Sequence, residues 1–541
     1  MESLVEPISI EENLKQFLLV ISAALIIAVL PQSIPWMRKL PYTVLLVIAG
    51  MVLALLNIHF FSPSPELILW IFLPPLLFEA AWNIRWGELR RNLVPVSLYA
   101  TLGVVVTILG IAFALAQWAD FLWPVALLTG ACLSATDPVA VSTLLRELGA
   151  PSRLKVLVEG ESMFNDGTAV VAFSLLLGLA TGTETFDLQN LIVEFASVVG
   201  IGVGVGLLLG FGISLITKQF DLPLVEQSLT LVGAYAAYLL GETLGGSGVI
   251  GTVTVGLIMG NFGSRVGMNP RTRVVVSEFW EFIAFFFNSI LFFLIGDQLL
   301  IDSVWSGLAG IAVAIAAMLA ARIAGVVVLS ALSNRITEVD IGRNMQVMLW
   351  WSGLRGGVAL ALALSVPETV PQRDALIAVV FGTVFFTILV QGITVKPLLQ
   401  ALNLIQENPL KQQYLELISR ETALQKVLDY MKQPGASAGI DPAAFQTEQI
   451  TIENQLSNLQ AQSQALCQQD PALAELGVET LRKELLAVES NAYYELVQLG
   501  RLSQEPPTLL EAIINAEENP HHPEPPAQRE NPVIAAAKES S

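Results

Sequence analysis

Apolar runs of membrane-spanning length recur along residues 1–400 of this chain, and that recurrence limits its possible folds more than any other feature. A helix crosses the hydrocarbon of a bilayer with ~20 mostly apolar residues, and by that measure ~13 segments qualify. They lie near residues 16–34, 41–60, 65–83, 92–117, 121–145, 155–181, 190–216, 223–241, 246–262, 277–297, 304–331, 344–366 and 374–398. The runs are too long for the strands of an outer-membrane barrel. Charge is correspondingly sparse: 14% of the 541 residues, where a soluble domain carries roughly a quarter. The expected fold class is an all-α polytopic membrane protein with lipid as its solvent.

Loop charge gives an independent check on that segmentation. The odd loops hold Arg38 and Lys39, then Arg85, Arg90 and Arg91, then Arg146, Arg153 and Lys155. They continue with Lys218, then Arg265, Arg271 and Arg273, then Arg335 and Arg343. The even loops hold Arg373 and otherwise neutral or acidic residues, among them Glu66, Asp120, Glu184 and Asp187. Basic residues concentrate on the cytoplasmic side of membrane proteins, and one missed helix would scramble the alternation. The N-terminus is therefore expected outside and the C-terminus in the cytoplasm. Glu2, Glu6, Glu11 and Glu12 precede the first apolar run, where a cleaved signal peptide would carry basic residues, so that run reads as a retained helix.

The formal charge of −19 is concentrated after residue 400, so it says nothing for a nucleic-acid partner. Cys132 lies in an apolar run and Cys467 in the polar tail, which excludes a disulfide framework. Residues 411–433, 442–468 and 471–503 read as amphipathic soluble helices, and the Pro, His, Glu and Ser content from about 519 reads as disorder. The expected organisation is a membrane domain over 1–400, a helical cytoplasmic tail over 401–518 and a disordered end over 519–541. The tail is assigned a regulatory role, toward transport itself or a partner that the sequence does not name.

A charged residue in hydrocarbon costs about 2.5–3.5 kcal/mol on the insertion scale, so each one asks for a reason. In Ser134-Ala135-Thr136-Asp137-Pro138, proline removes a backbone donor and disfavours helix at Asp137. Unwound backbone at membrane depth is tolerated where it lines a cavity or is buried in protein, and its carbonyls and hydroxyls can replace an ion's water shell. In Glu161-Ser162-Met163-Phe164-Asn165-Asp166, Ser162 and Asp166 share one helix face and Glu161 and Asn165 the adjacent one. This makes a hard-oxygen site in which Asp166 can hold a proton or a small cation in turn. In Ser352-Gly353-Leu354-Arg355-Gly356-Gly357, three glycines weaken the helix around an arginine that cannot lose its charge. Arg355 needs a carboxylate, and Glu161 is the expected partner, since Asp166 must stay free. Glu79, after Pro74-Pro75, either snorkels to water or reaches the ion site through a water molecule. Arg322 is expected to snorkel or pair structurally, with no partner named.

These motifs together resemble the NhaP-type sodium–proton antiporters. The resemblance rests on Thr136-Asp137-Pro138, on Gly160-Glu161-Ser162 with Phe164-Asn165-Asp166, and on Gly353-Leu354-Arg355-Gly356-Gly357, over roughly residues 12–400. It implies inverted repeats, a mobile core domain against a dimerisation domain, a homodimer, and two crossed broken helices at the fifth and twelfth segments. It implies that Asp166 carries proton or cation in turn, with Ser162 and Thr136 as further oxygen ligands of the transported monovalent cation. Asp137 and Glu79 would act nearby through water, and Glu161 with Arg355 would form a structural ion pair. Asn165, where electrogenic relatives have an acid, implies one-for-one electroneutral exchange. No cofactor is expected beyond the transported sodium and protons, and the setting is a prokaryotic plasma membrane, where such exchange serves pH and sodium homeostasis.

Two other classes are weighed against an antiporter. A cation channel usually repeats its filter around a pore axis, whereas these charges sit on dissimilar helices of one chain. An intramembrane aspartyl enzyme would use Asp137 and Asp166 as a dyad, but neither lies in the Tyr-Asp or Gly-x-Gly-Asp context of such enzymes. The sequence leaves open sodium, lithium, potassium or calcium as the cation. Histidine is nearly absent, at His59, His521 and His522, so pH dependence is expected from the site carboxylates.

Overall fold

A computed structural model describes residues 10–477, apart from 34–39, 57–63, 183–187, 219–221, 265–266, 269, 299–306, 338–339, 406–408, 432–440, 471–472 and 474–476. The three histidines, the disordered end expected from 519 and most of the third tail helix lie outside the described residues. The chain divides into two compact units, Met1–Ile405 and Gln406–Ser541.

No strand occurs among the described residues. The first unit contains α1 (Ile10–Ser33), α2 (Tyr42–Leu55), α3 (Leu67–Asn83), α4 (Trp86–Arg91), α5 (Leu93–Trp118), α6 (Trp123–Cys132), α7 (Val139–Glu147) and α8 (Ser152–Thr181). It continues with α9 (Leu188–Thr217), α10 (Pro223–Thr243), α11 (Gly248–Gly263) and α12 (Pro270–Asp297). It ends with α13 (Leu308–Ile336), α14 (Arg343–Trp351), α15 (Gly357–Leu364) and α16 (Arg373–Ala401). Among the described residues, six helices are long and apolar enough to cross a membrane, α5, α8, α13 and α16 being four of them. Shorter apolar helices include α2, α3, α6 and α11. The chain is a multi-pass membrane protein. The first helix begins at Ile10, earlier than the apolar run from residue 16, because polar Glu11, Glu12 and Asn13 extend it beyond the hydrophobic stretch.

Two interruptions break the helical order inside the first unit. Residues 133–138 separate α6 from α7, and residues 352–356 separate α14 from α15. The first carries Pro138, whose ring disfavours a helical conformation at Asp137. The second carries Gly353 and Gly356, the weakest helix formers after proline. Both are legible in the sequence for these reasons. Helical turns of π type at Leu67–Phe72, Tyr99–Gly103, Met259–Gly263 and Thr387–Gln391 add local widening within α3, α5, α11 and α16.

Close helix packing comes from small residues, as is usual where lipid removes the hydrophobic drive for association. At Gly50 of α2 a Cβ would collide with the Phe293 carbonyl of α12, and at Gly296 of α12 one would collide with the Val47 carbonyl of α2. The two helices therefore touch backbone to backbone. Helix α12 also packs against α3, while α6 packs on α5 and α8. The second unit contains α17 (Pro409–Met431) and α18 (Pro442–Gln469), which pack on each other. Tyr414, Leu466 and Leu473 are the buried centre of that contact, with Leu417, Ile418 and Cys467 around them.

Candidate functional site

The two interruptions meet. The Asp137 amide donates to the Leu354 carbonyl at 2.8 Å, and the Arg355 amide donates to Thr387 Oγ1 of α16 at 3.0 Å. A Cβ on Gly356 would fall onto the Asp137 side chain, so the second stretch can lie this close to the first only because that position is glycine. Asp137 Oδ1 in turn accepts the Val139 amide at 2.9 Å, satisfying one of the free donors at the start of α7.

Helix α8 passes behind this crossing with Glu161, Ser162, Asn165 and Asp166 all buried. The Asn165 amide clamps Thr136: its Nδ2 donates to Thr136 Oγ1 at 2.6 Å and its Oδ1 accepts the Thr136 amide at 3.2 Å. Thr136 Oγ1 and Ser162 Oγ lie 2.9 Å apart. Asp166 is 7% exposed, and among the described residues its Oδ1 has no hydrogen-bond partner. An unsatisfied carboxylate oxygen in a low-dielectric interior is expensive unless something occupies the space before it.

Asp166 also lines a cavity of about 280 Å³. Thr136 and Asp137 share that lining, with Gly356 and Gly357 beside them. Glu79, Arg146, Glu159 and Glu281 line it too. Arg146 Nη2 meets Glu159 Oε1 at 3.0 Å and the arginine side chain is half exposed, which marks this charged group as the mouth. Glu79, whose Oε1 accepts from Asn83 Nδ2, stands in the same field as Arg146, Glu159 and Glu281. The chemistry on offer is hard oxygen around a buried carboxylate, suited to a proton or a small cation.

The expected residues thus separate into groups. Thr136, Asp137, Asp166 and Glu79 share the cavity. Ser162 reaches it through Thr136. Asn165 faces away, toward a second small chamber that Glu161, Ser134 and Arg322 also line, and acts here on Thr136.

The expected ion pair between Glu161 and Arg355 is not the one formed. Glu161 pairs with Arg322, Nη1 to Oε1 at 2.8 Å and Nη2 to Oε2 at 3.2 Å, both side chains being buried. Arg322 also donates through Nε to the Trp350 carbonyl at 3.1 Å and through Nη2 to the Leu349 carbonyl at 2.9 Å. It thereby serves both the carboxylate and the free carbonyls at the end of α14. Arg355 is fully buried, and among the described residues its nearest acceptors are the Ala135 and Ser134 carbonyls at 3.3 and 3.5 Å. Its Nε and Nη2 have no partner. Freed carbonyls are the reason for the difference: two unwound stretches supply cation acceptors that a count of carboxylates leaves out. Sequence reasoning also missed Tyr42, Glu281 and Asn288, which line the cavity without belonging to any motif.

A family model described as "Sodium/hydrogen exchanger, transmembrane" matches residues 20–401. The chain belongs to the sodium/hydrogen exchanger family, a class of transporters rather than enzymes. It is 50% identical over 503 residues to the low-affinity Na(+)/H(+) antiporter NhaS1 of Synechocystis sp., covering 92% of this chain and 95% of that protein. It is also 50% identical over 507 residues to the Na(+)/H(+) antiporter ApNhaP of Aphanothece halophytica, covering 94% of this chain and 97% of that one. In fold it resembles the sodium proton antiporter MjNhaP1 from Methanocaldococcus jannaschii, with a TM-score of 0.58 at 20% identity over 71% of this chain and 99% of that one.

Proposed function

We propose that this protein is a secondary antiporter that exchanges sodium for protons by alternating access, with the two ions competing for Asp166. The observation that carries the reading is Asp166 itself, buried at the cavity with one oxygen unpaired. Thr136 and Ser162 supply neutral oxygens to a dehydrated cation, Asn165 holds Thr136 in place, and Asp137 with Glu79 lines the route. Because α8 offers a single free carboxylate at the cavity, each half-cycle carries one charge and exchange is electroneutral. The names of the relatives support sodium as the cation.

In this reading α6 with α7, and α14 with α15, are two broken membrane helices of a thirteen-span, inverted-repeat fold, and the protein works as a homodimer. The cavity mouth at Arg146 lies on the side of the basic loops, which the positive-inside rule puts in the cytoplasm. The structure is then the inward-open state of a plasma-membrane protein serving pH and sodium homeostasis, and the tail after residue 405 tunes its rate.

The test is dequenching of a pH-sensitive dye in acid-loaded proteoliposomes on addition of sodium, lithium or potassium. Sodium-dependent dequenching is expected, lost in Asp166→Asn. Absence of response to every cation from folded, reconstituted protein would overturn the proposal.

A further inference from the structure

Five side chains of α12 fall on one face at helical spacing and line the cavity: Glu281, Ala284, Phe285, Asn288 and Leu291. Glu281 belongs to the charged mouth, and the Phe285 ring lies 5.6 Å from that of Tyr42. Leu291 packs against Gly357, leaving no room there for a Cβ, and the preceding Gly356 lies against Asp137. Asn288 is one turn from Leu291, about 4.5 Å along the helix axis, and so sits near the level of the crossing.

Asn288 is 4% exposed, and its side chain lines the cavity. Its neighbours along the lining, Ala284, Phe285 and Leu291, are apolar. A carboxamide among apolar neighbours is costly unless it meets water, an ion or another polar group, and a position that needed only to fill space would be served by leucine. Asn288 lines the same cavity as Asp166.

We propose that Asn288 is a further ligand of the transported cation, its Oδ1 taking one position in the oxygen shell directly or through one of the ion's own waters. This deepens the antiport reading above and rests on it. A carboxamide oxygen binds a hard cation but takes no proton near neutral pH, so it favours cation over proton at Asp166 without changing the charge carried. It also makes the site two-sided in origin. Asp166, Thr136 and Asp137 come from α8 and the α6–α7 interruption, whereas α12 packs on α2 and α3. If the crossed helices move and α12 stays, the ligand is left behind, and cation affinity differs between the two faces of the membrane.

The experiment compares full-length wild-type protein with Asn288→Ala and Asn288→Ser in proteoliposomes of sorted orientation, using sodium as the probe. The alanine variant is expected to raise the sodium KM about five- to tenfold on the face to which the cavity opens, the worth of one hydrogen-bond-strength ligand. KM on the other face stays unchanged, and the maximal rate stays within about twofold on this one-ligand scale. Serine, which keeps an oxygen, restores part of the affinity and carries the test if alanine does not fold. An unchanged KM on both faces, or an equal rise on both, overturns the proposal. In either case wild-type exchange that Asp166→Asn abolishes leaves the antiport reading standing, whereas a silent wild type removes both.

Discussion

Arg322 grips Glu161 with two nitrogens, at 2.8 and 3.2 Å, and spends its remaining donors on the Leu349 and Trp350 carbonyls. One guanidinium thus joins α13, α8 and the end of α14. Removing one partner of a buried pair strands the other charge, which costs about 3–5 kcal/mol. Arg322→Ala is expected to lower thermal stability in detergent by that order. Arg322→Lys is expected to recover little, because a point charge cannot reach the carboxylate and two carbonyls in one plane. Equal melting temperatures for wild type and Arg322→Ala would show that the pair is ornamental to the fold.

Gly356 and Asp137 define a second dependence, one of function as well as stability. A Cβ at position 356 would occupy the space of the Asp137 carboxylate. Rotating the Asp137 side chain does not relieve this, because its own Cβ would lie 2.6 Å away, so the backbone must shift and the bond from the Val139 amide at 2.9 Å is disturbed with it. Gly356→Ala is expected to slow exchange about tenfold or more, the worth of one charge-assisted hydrogen bond. Its melting temperature should fall as well, by the order of an overpacking cost of about 1–3 kcal/mol, while leaving folded protein to assay. Reconstituted transport rates beside melting curves check this, and a variant that transports normally would show that the carboxylate position is not needed.

A third prediction concerns the contact between α2 and α12. Gly50 and Gly296 each face a carbonyl of the other helix, and backbone does not yield as a side-chain tip does. Overpacking of this kind costs typically 1–3 kcal/mol and can cost more. Gly296→Ala should therefore destabilise the protein by at least about 1 kcal/mol, and Gly296→Leu should abolish folded expression. Size-exclusion recovery and thermal shift read both. A Gly296→Leu variant with wild-type recovery would contradict the backbone contact.

The membrane helices and the interruptions are legible in the sequence because both follow from local chemistry. Hydropathy marks the spans, Pro138 breaks one helix and Gly353 with Gly356 weakens another. Thr136, Asp137 and Asp166 stand out as well, since polar residues beside a break in a membrane helix have few bland explanations. The pairing of Glu161 is harder. Two arginines lie at membrane depth with one carboxylate to share, and nothing in one dimension says which arginine reaches it. Counting carboxylates alone favours Arg355, whereas in three dimensions Arg322 reaches the carboxylate and two carbonyls, and Arg355 meets backbone carbonyls through Nη1. Asn288 leaves no trace at all. A single amide in the run Phe285-Phe286-Phe287-Asn288 has no motif, and only the cavity gives it a reason to be there.

The fourth prediction follows from the proposed competition of two ions for the Asp166 carboxylate. If sodium must displace a proton from Asp166, protonation removes empty sites without altering the rate of filled ones. The apparent sodium KM then rises as the medium is acidified, approaching tenfold per pH unit once the site is mostly protonated, since each pH unit is about 1.4 kcal/mol of proton binding. Saturating sodium restores the full rate at any pH in that range. On the same reasoning one charge crosses in each direction, so a membrane potential imposed with potassium and valinomycin should leave the rate unchanged. Both follow from competition and from no other arrangement of the same residues. A separate regulatory proton would instead lower the maximal rate at constant KM, and a second transported proton would make the rate follow the potential. Sodium titrations across a pH series, with and without the imposed potential, therefore distinguish the one-carboxylate mechanism from both.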